Sequence, residues 1–135
     1  MKKGMAITIT KEKVDKLEGL LNEFCSQTNT LWSILITSAG QLLVQRGFVY
    51  SFDVLAISAL ACGVFNSTME LARIVGENRF SQFFQEGEKF SIFYVGVNDE
   101  YLLVSLFDDR TLPGVVKVAS EEFSFEAEKI LSDGV

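Results

Sequence analysis

The stretch Phe52–Glu77, FDVLAISALACGVFNSTMELARIVGE, decides how this chain is read. It runs without a proline from Asp53, whose carboxylate can accept from the free N–H groups of a helix start, to Gly76, which tolerates the left-handed conformation that closes a helix. One long helix over 53–75 is predicted, with Phe52 and Ile57 set as a hydrophobic staple across its first turn. Between Val54 and Phe65 the sole polar side chain is Ser58, so this half is apolar on every face. A single sheet covers only one side of such a helix. The other side must sink into its own fold or meet another subunit.

Upstream, Val14, Leu17, Leu21 and Phe24 recur at spacings of three and four over 11–28, behind Thr10 as an N-cap, which predicts an amphipathic first helix. LWSILIT (31–37) and QLLVQRG (41–47) are two extended runs about the turn Ser38-Ala39-Gly40, a β-hairpin. Downstream, 80–86, 89–97 and 101–107 read as three short strands turned at Gly87 and Asn98-Asp99. Thr111-Leu112-Pro113-Gly114 then breaks the chain, and Val116, Ala119, Phe123, Ala127 and Ile130 mark a last amphipathic helix. The order αββαβββα over 135 residues predicts one α+β domain with a single antiparallel sheet.

Composition narrows the chemistry. Histidine is absent, which removes Ser-His-Asp triads, Cys-His pairs and histidine metal sites together. A formal charge of −6 repels a phosphate backbone, so nucleic acid is not an expected partner. Residues 1–16 carry Lys2, Lys3, Lys11, Lys13 and Lys16 against Glu12 and Asp15, a net +3 that leaves −9 for the remainder. This basic start suits a solvated tail and helix start, or contact with an anionic surface. Cys25 and Cys62 read as core thiols, and neither a signal peptide nor a run of eighteen apolar residues is present, so no stable membrane insertion and a cytoplasmic location are expected.

Neither GxxxxGK[ST] nor GxGxxG occurs, so no nucleotide or other cofactor is expected. Asp108-Asp109-Arg110 could hold a cation or act as an acid–base pair, but a solvated loop with Arg110 answering the acids explains it as well. Glu121, Glu122, Glu126 and Glu128 read as the wet face of the last helix. Arg46, Arg73, Arg79 and Arg110 are the candidates for an arginine finger offered to a GTPase; Arg46 and Arg73 are better read as surface ion-pairing residues. No catalytic residue and no metal ligand is assigned. What stands out is a surface: the long helix, and FSQFFQE (80–86), a strand with three phenylalanines and no lysine to guard it.

Over roughly Val14–Phe123 the pattern resembles the roadblock-type dynein light chain family, the roadblock domain. The carriers are ITSAGQLLVQRG (36–47), the 52–77 helix, QEGEKFSIFYV (85–95), EYLLVSLFD (100–108) and LPGVVKVASEE (112–122). The resemblance implies a single roadblock-like domain over 1–135, with its core about 11–132. It also implies a five-stranded sheet of order 2-1-5-4-3, the second helix on one face and the first and last helices on the other. Homodimers of this family pair their third strands and pack their second helices together. On this chain that implies dimer contacts at Leu55, Ala59, Cys62, Val64, Phe65, Phe80, Gln82, Phe83 and Phe84, and partner contacts at Asn66, Glu70 and Arg73. Bacterial members similar to gliding-motility regulators bind small Ras-like GTPases and stimulate hydrolysis without donating a catalytic residue, while other members scaffold motor or trafficking complexes. Two functions follow as expectations: a homodimeric, non-enzymatic GTPase regulator, or a dimeric adaptor without effect on nucleotide turnover.

Overall fold

The computed structural model describes residues 9–47 and 52–132. Lys2 and Lys3 of the basic start lie outside the described residues. Each predicted helix forms where its local signals place it. Thr10 Oγ1 accepts from the Lys13 N–H at 3.2 Å and opens α1 (Lys11–Thr28), which ends on Asn29 in the left-handed region at φ 57°. Asp53 Oδ1 accepts from the Ala56 N–H at 3.1 Å to open α2 (Val54–Val75), and Gly76 at φ 89° closes it. Phe52, expected to staple onto Ile57, stands edge-on to the Trp32 ring with centroids 6.0 Å apart. The break expected at 111–114 is instead where α3 (Pro113–Ser132) begins, because the first helical position has no use for the N–H that proline lacks.

The strands are β1 (Trp32–Thr37), β2 (Leu42–Gly47), β3 (Gln82–Glu86), β4 (Ser91–Val97) and β5 (Tyr101–Phe107). They form one antiparallel sheet in the order β2-β1-β5-β4-β3, as the resemblance implied. Phe80 and Lys89, placed in strands by their apolar neighbours, fall just outside them.

Alternation sorts the sheet into two cores. Leu35, Phe93, Val95, Val97, Leu103 and Phe107 face α1 and α3. Trp32, Ile34, Ile36, Tyr94, Leu102, Val104 and Leu106 face α2. Both faces are covered, which is why β1 and β5 are buried along their whole length and read as continuous apolar runs. The buried hydroxyls of the paired residues Ser33 and Ser105 satisfy each other at 2.9 Å.

The hairpin β1–β2 depends on two glycines with positive φ, Gly40 at 91° and Gly47 at 112°. A Cβ on Gly47 would collide with the Leu31 carbonyl oxygen and lie 2.6 Å from Trp32 Cα. Gly47→Ala is therefore expected to cost more than about 2 kcal/mol, read as a lowered urea midpoint, because strain and collision act together. A midpoint equal to that of the natural chain would contradict the close approach.

Candidate functional site

α2 meets the sheet through Ser58, Ala61, Phe65 and Ala72, all buried. At 100° per residue the opposite side of the helix runs through Ala56, Gly63, Ser67 and Ile74, flanked by Leu60 and Leu71 on one side and by Leu55 and Ala59 on the other. Leu55, Leu60, Leu71 and Ile74 are 69%, 71%, 53% and 68% exposed, apolar side chains left uncovered among the described residues. Full burial of one such side chain stabilises by about 1.5–3 kcal/mol, so covering the row is a large favourable term. By length and composition alone α2 could cross a membrane. Its sheet-facing side is packed onto β-strands, which makes it half of a protein core with one wall missing.

The sequence-derived contact residues divide accordingly. Leu55 and Ala59 lie on the exposed side. Phe65, assigned there from the resemblance, is instead turned into the sheet at 6% exposure, where its ring would touch a Cβ at Gly96. Cys62 and Val64 are half-buried along the helix flanks and pack on the α2-side core. The Cys62 thiol donates to the Ser38 carbonyl at 3.0 Å, tying α2 to the hairpin turn, so of the two expected core thiols only Cys25 is fully buried.

Leu60, Gly63, Leu71 and Ile74, exposed on this side, are not among the residues singled out from the sequence, and only Gly63 carries a mark there. Asn66, Glu70 and Arg73 mark the wet side of the second half, and one or two turns earlier the same side of the helix carries Ala59 and Gly63. Those three polar residues are exposed and sit in one line. Asn66 Nδ2 lies 3.4 Å from Cys62 Sγ, and Arg73 is ion-paired with Glu70. That hydrogen bond and the carboxylate charge raise the Arg73 pKa, holding the guanidinium charged.

Phe83 of the edge strand β3 packs on the α2-side core, and among the described residues β3 pairs with β4 alone. Phe83 stacks on Tyr94 with centroids 4.4 Å apart, and the Tyr94 hydroxyl donates to Gln85 Oε1 at 2.6 Å. On the other face Phe84 stacks on Phe107, while Gln82 Nε2 donates to Glu121 at 3.0 Å. The hydrogen bond from the Lys117 ammonium first, and this one second, lower the Glu121 pKa from its ordinary value. Gln82 and Phe83 are half-buried against their own fold, while Phe84 stays 40% exposed, so the strand offers its backbone and part of the Phe84 ring. Phe80 is half-buried just before it.

All four arginines are engaged within the chain. Arg46 donates to Asn22 Oδ1 at 2.9 Å, a neutral partner where an ion pair was expected. Arg79 pairs with Asp99 at 2.6 Å and also holds the Asn98 carbonyl. Arg110 pairs with Asp108 at 2.9 Å, and its hydrogen bonds lower the Asp108 pKa, so the solvated-loop reading of 108–110 applies. Among the described residues no group of three His, Cys, Asp or Glu side chains is placed to hold a metal ion.

No protein-family model matches the chain, and no curated protein does. Solved structures do. Myxococcus xanthus MglB superimposes with a TM-score of 0.90 at 28% identity, over 96% of this chain and 97% of that one. The gliding protein MglB of Thermus thermophilus gives 0.87 at 21%, over 96% and 98%. A Roadblock/LC7 domain from Streptomyces avermitilis gives 0.78 at 14%, over 85% and 97%. The structural neighbours of this chain are therefore MglB and Roadblock/LC7 domain proteins, and the resemblance read from the residues holds in the fold.

The helix phase makes a sharp prediction. Ala61→Asp places an unpaired carboxylate against the sheet and is expected to cost about 3 kcal/mol or more, seen as a lowered or lost unfolding transition in circular dichroism. Ala59→Asp leaves the chain folded. Equal damage from both would mean that the phase of α2 is misassigned.

Proposed function

We propose that this chain is a homodimeric regulator of a small Ras-like GTPase and contributes no catalytic residue of its own. Its MglB- and roadblock-like fold suggests a GTPase-regulating or adaptor role. The observation that carries the dimer is the uncovered outer row of α2 beside the open edge of β3. A twofold axis passing near both lets one copy supply what the other lacks, helix row against helix row and strand edge against strand edge, in a self-complementary contact. Ala56, Ala59, Gly63 and Ser67 are small enough to let two helices approach closely.

Asn66, Glu70 and Arg73 form the polar strip beside the apolar row of α2, and in a dimer two such strips flank the paired helices. This is the face offered to the GTPase. Phosphoryl transfer needs a positioned water and stabilisation of charge at the transition state. With every arginine of this chain held by a partner of its own, stimulation works by ordering the GTPase's own loops.

Sedimentation of the natural chain is expected to report about twice 15.0 kDa, and Leu60→Glu or Ala59→Asp to return it to the single-chain mass. A natural chain that stays monomeric at tens of micromolar contradicts the dimer. With the GTPase encoded in the same genome, Arg73→Ala and Arg79→Ala are each expected to leave maximal stimulation within a few-fold. A true arginine finger is worth ~10³–10⁵ in rate, and a loss on that scale would overturn the loop-ordering mechanism. Binding without any change in hydrolysis would favour the adaptor role.

A further inference from the structure

α1 and α3 pack antiparallel on the sheet face opposite α2: Lys13 Nζ reaches the Leu131 carbonyl at one end, and Thr111 Oγ1 reaches the Thr28 carbonyl at the other. Midway, the Phe24 and Phe123 rings meet edge-to-face at 5.8 Å. Above them the two helices part to leave a groove of about 270 Å³. Half-buried Leu20 and Ala119 line it over the almost wholly buried Phe24 and Phe123 rings, together with Glu23, Gln27, Glu122 and Glu126. Lys129 pairs with Glu126, whereas Glu23 and Glu122 have no cationic partner among the described residues. The α3 lip continues outward as exposed apolar surface, with Val118 and Phe125 at 64% and 62%.

We propose that this groove is a docking site for a cationic amphipathic helix of a partner protein. Such a helix lays its apolar side chains between α1 and α3, a helix-in-groove mode, and sets lysines or arginines against Glu23 and Glu122. Charge complementarity selects this occupant. An anionic membrane or a nucleic acid would meet three carboxylates at close range and be repelled. A bare cation finds no cluster of ligands here. A neutral apolar segment would leave two wall carboxylates partly desolvated and unpaired, at a cost that lysine or arginine removes. Because the groove lies across the sheet from α2, it is accessible whether or not α2 is covered, so this inference stands apart from the dimer and from the GTPase.

The test uses the full chain and a fluorescein-labelled helical peptide, LKKLLKLLKKLLKL, followed by fluorescence anisotropy in about 0.15 M salt. Saturable binding is expected. The double variant Glu23→Lys/Glu122→Lys is expected to weaken it by roughly tenfold or more, and Ala119→Trp, which fills the groove without changing charge, to do the same. Glu18→Lys/Glu128→Lys makes the same charge change on the same two helices away from the groove and is expected to stay within about twofold. The alanine counterpart AKKAAKAAKKAAKA keeps the charge and the helix but loses the large apolar side chains, and is not expected to bind. Equal weakening by the control pair, undiminished binding of the alanine peptide, no effect of the groove variants, or no binding of the leucine peptide would each overturn the proposal. Circular dichroism of every variant separates lost binding from lost folding.

Discussion

One constraint governs this molecule: a helix whose first half is apolar on every face is packed onto a sheet that can cover only one of them. Ser58, Ala61, Phe65 and Ala72 commit one face of α2 to the sheet, and the face through Leu60, Gly63, Leu71 and Ile74 is left uncovered. The opposite sheet face carries two helices and a continuous core. The central strands are buried on both sides, and the paired serines between β1 and β5 satisfy each other. On the dimer proposed above, the same row on another copy covers the open face of α2.

The sides of the sheet have different characters. On the α2 side the exposed surface is apolar with a narrow polar strip, suited to permanent contact, because a broad dry patch is costly to leave in water. On the α1–α3 side an apolar floor is walled by carboxylates, which suits a contact that forms and dissolves with its ionic partner. The Gln82–Glu121 hydrogen bond links the edge strand β3 to α3.

How much of this was legible depended on whether the signal was local. The caps at Thr10, Asp53 and Gly76 act within one turn, and all three helix ends form there. The sheet order needed the family resemblance, because nothing local tells β5 to lie between β1 and β4. Strand ends were overrun at Phe80 and Lys89, where an apolar or extended residue sits beyond the last ladder pair and only the partner strand decides pairing. That Phe65 turns into the sheet was not legible, since a helix without a polar face in its first half has no periodic mark to read; the mark begins only at Asn66. The α1–α3 groove was out of reach, because its floor joins Phe24 and Phe123, far apart in sequence, and its wall residues Glu122 and Glu126 read equally well as a solvated face.

The central claim is that the outer row of α2 packs on the same row of another copy. Methyl NMR on a mixture of carbon-13-labelled and unlabelled protein tests it most directly, by filtering for cross-peaks between chains. The account predicts intermolecular contacts among the Leu60, Leu71 and Ile74 methyls, together with amide contacts between the two β3 edges. A dimer whose intermolecular contacts lie elsewhere on the surface, with these methyls silent, would contradict it.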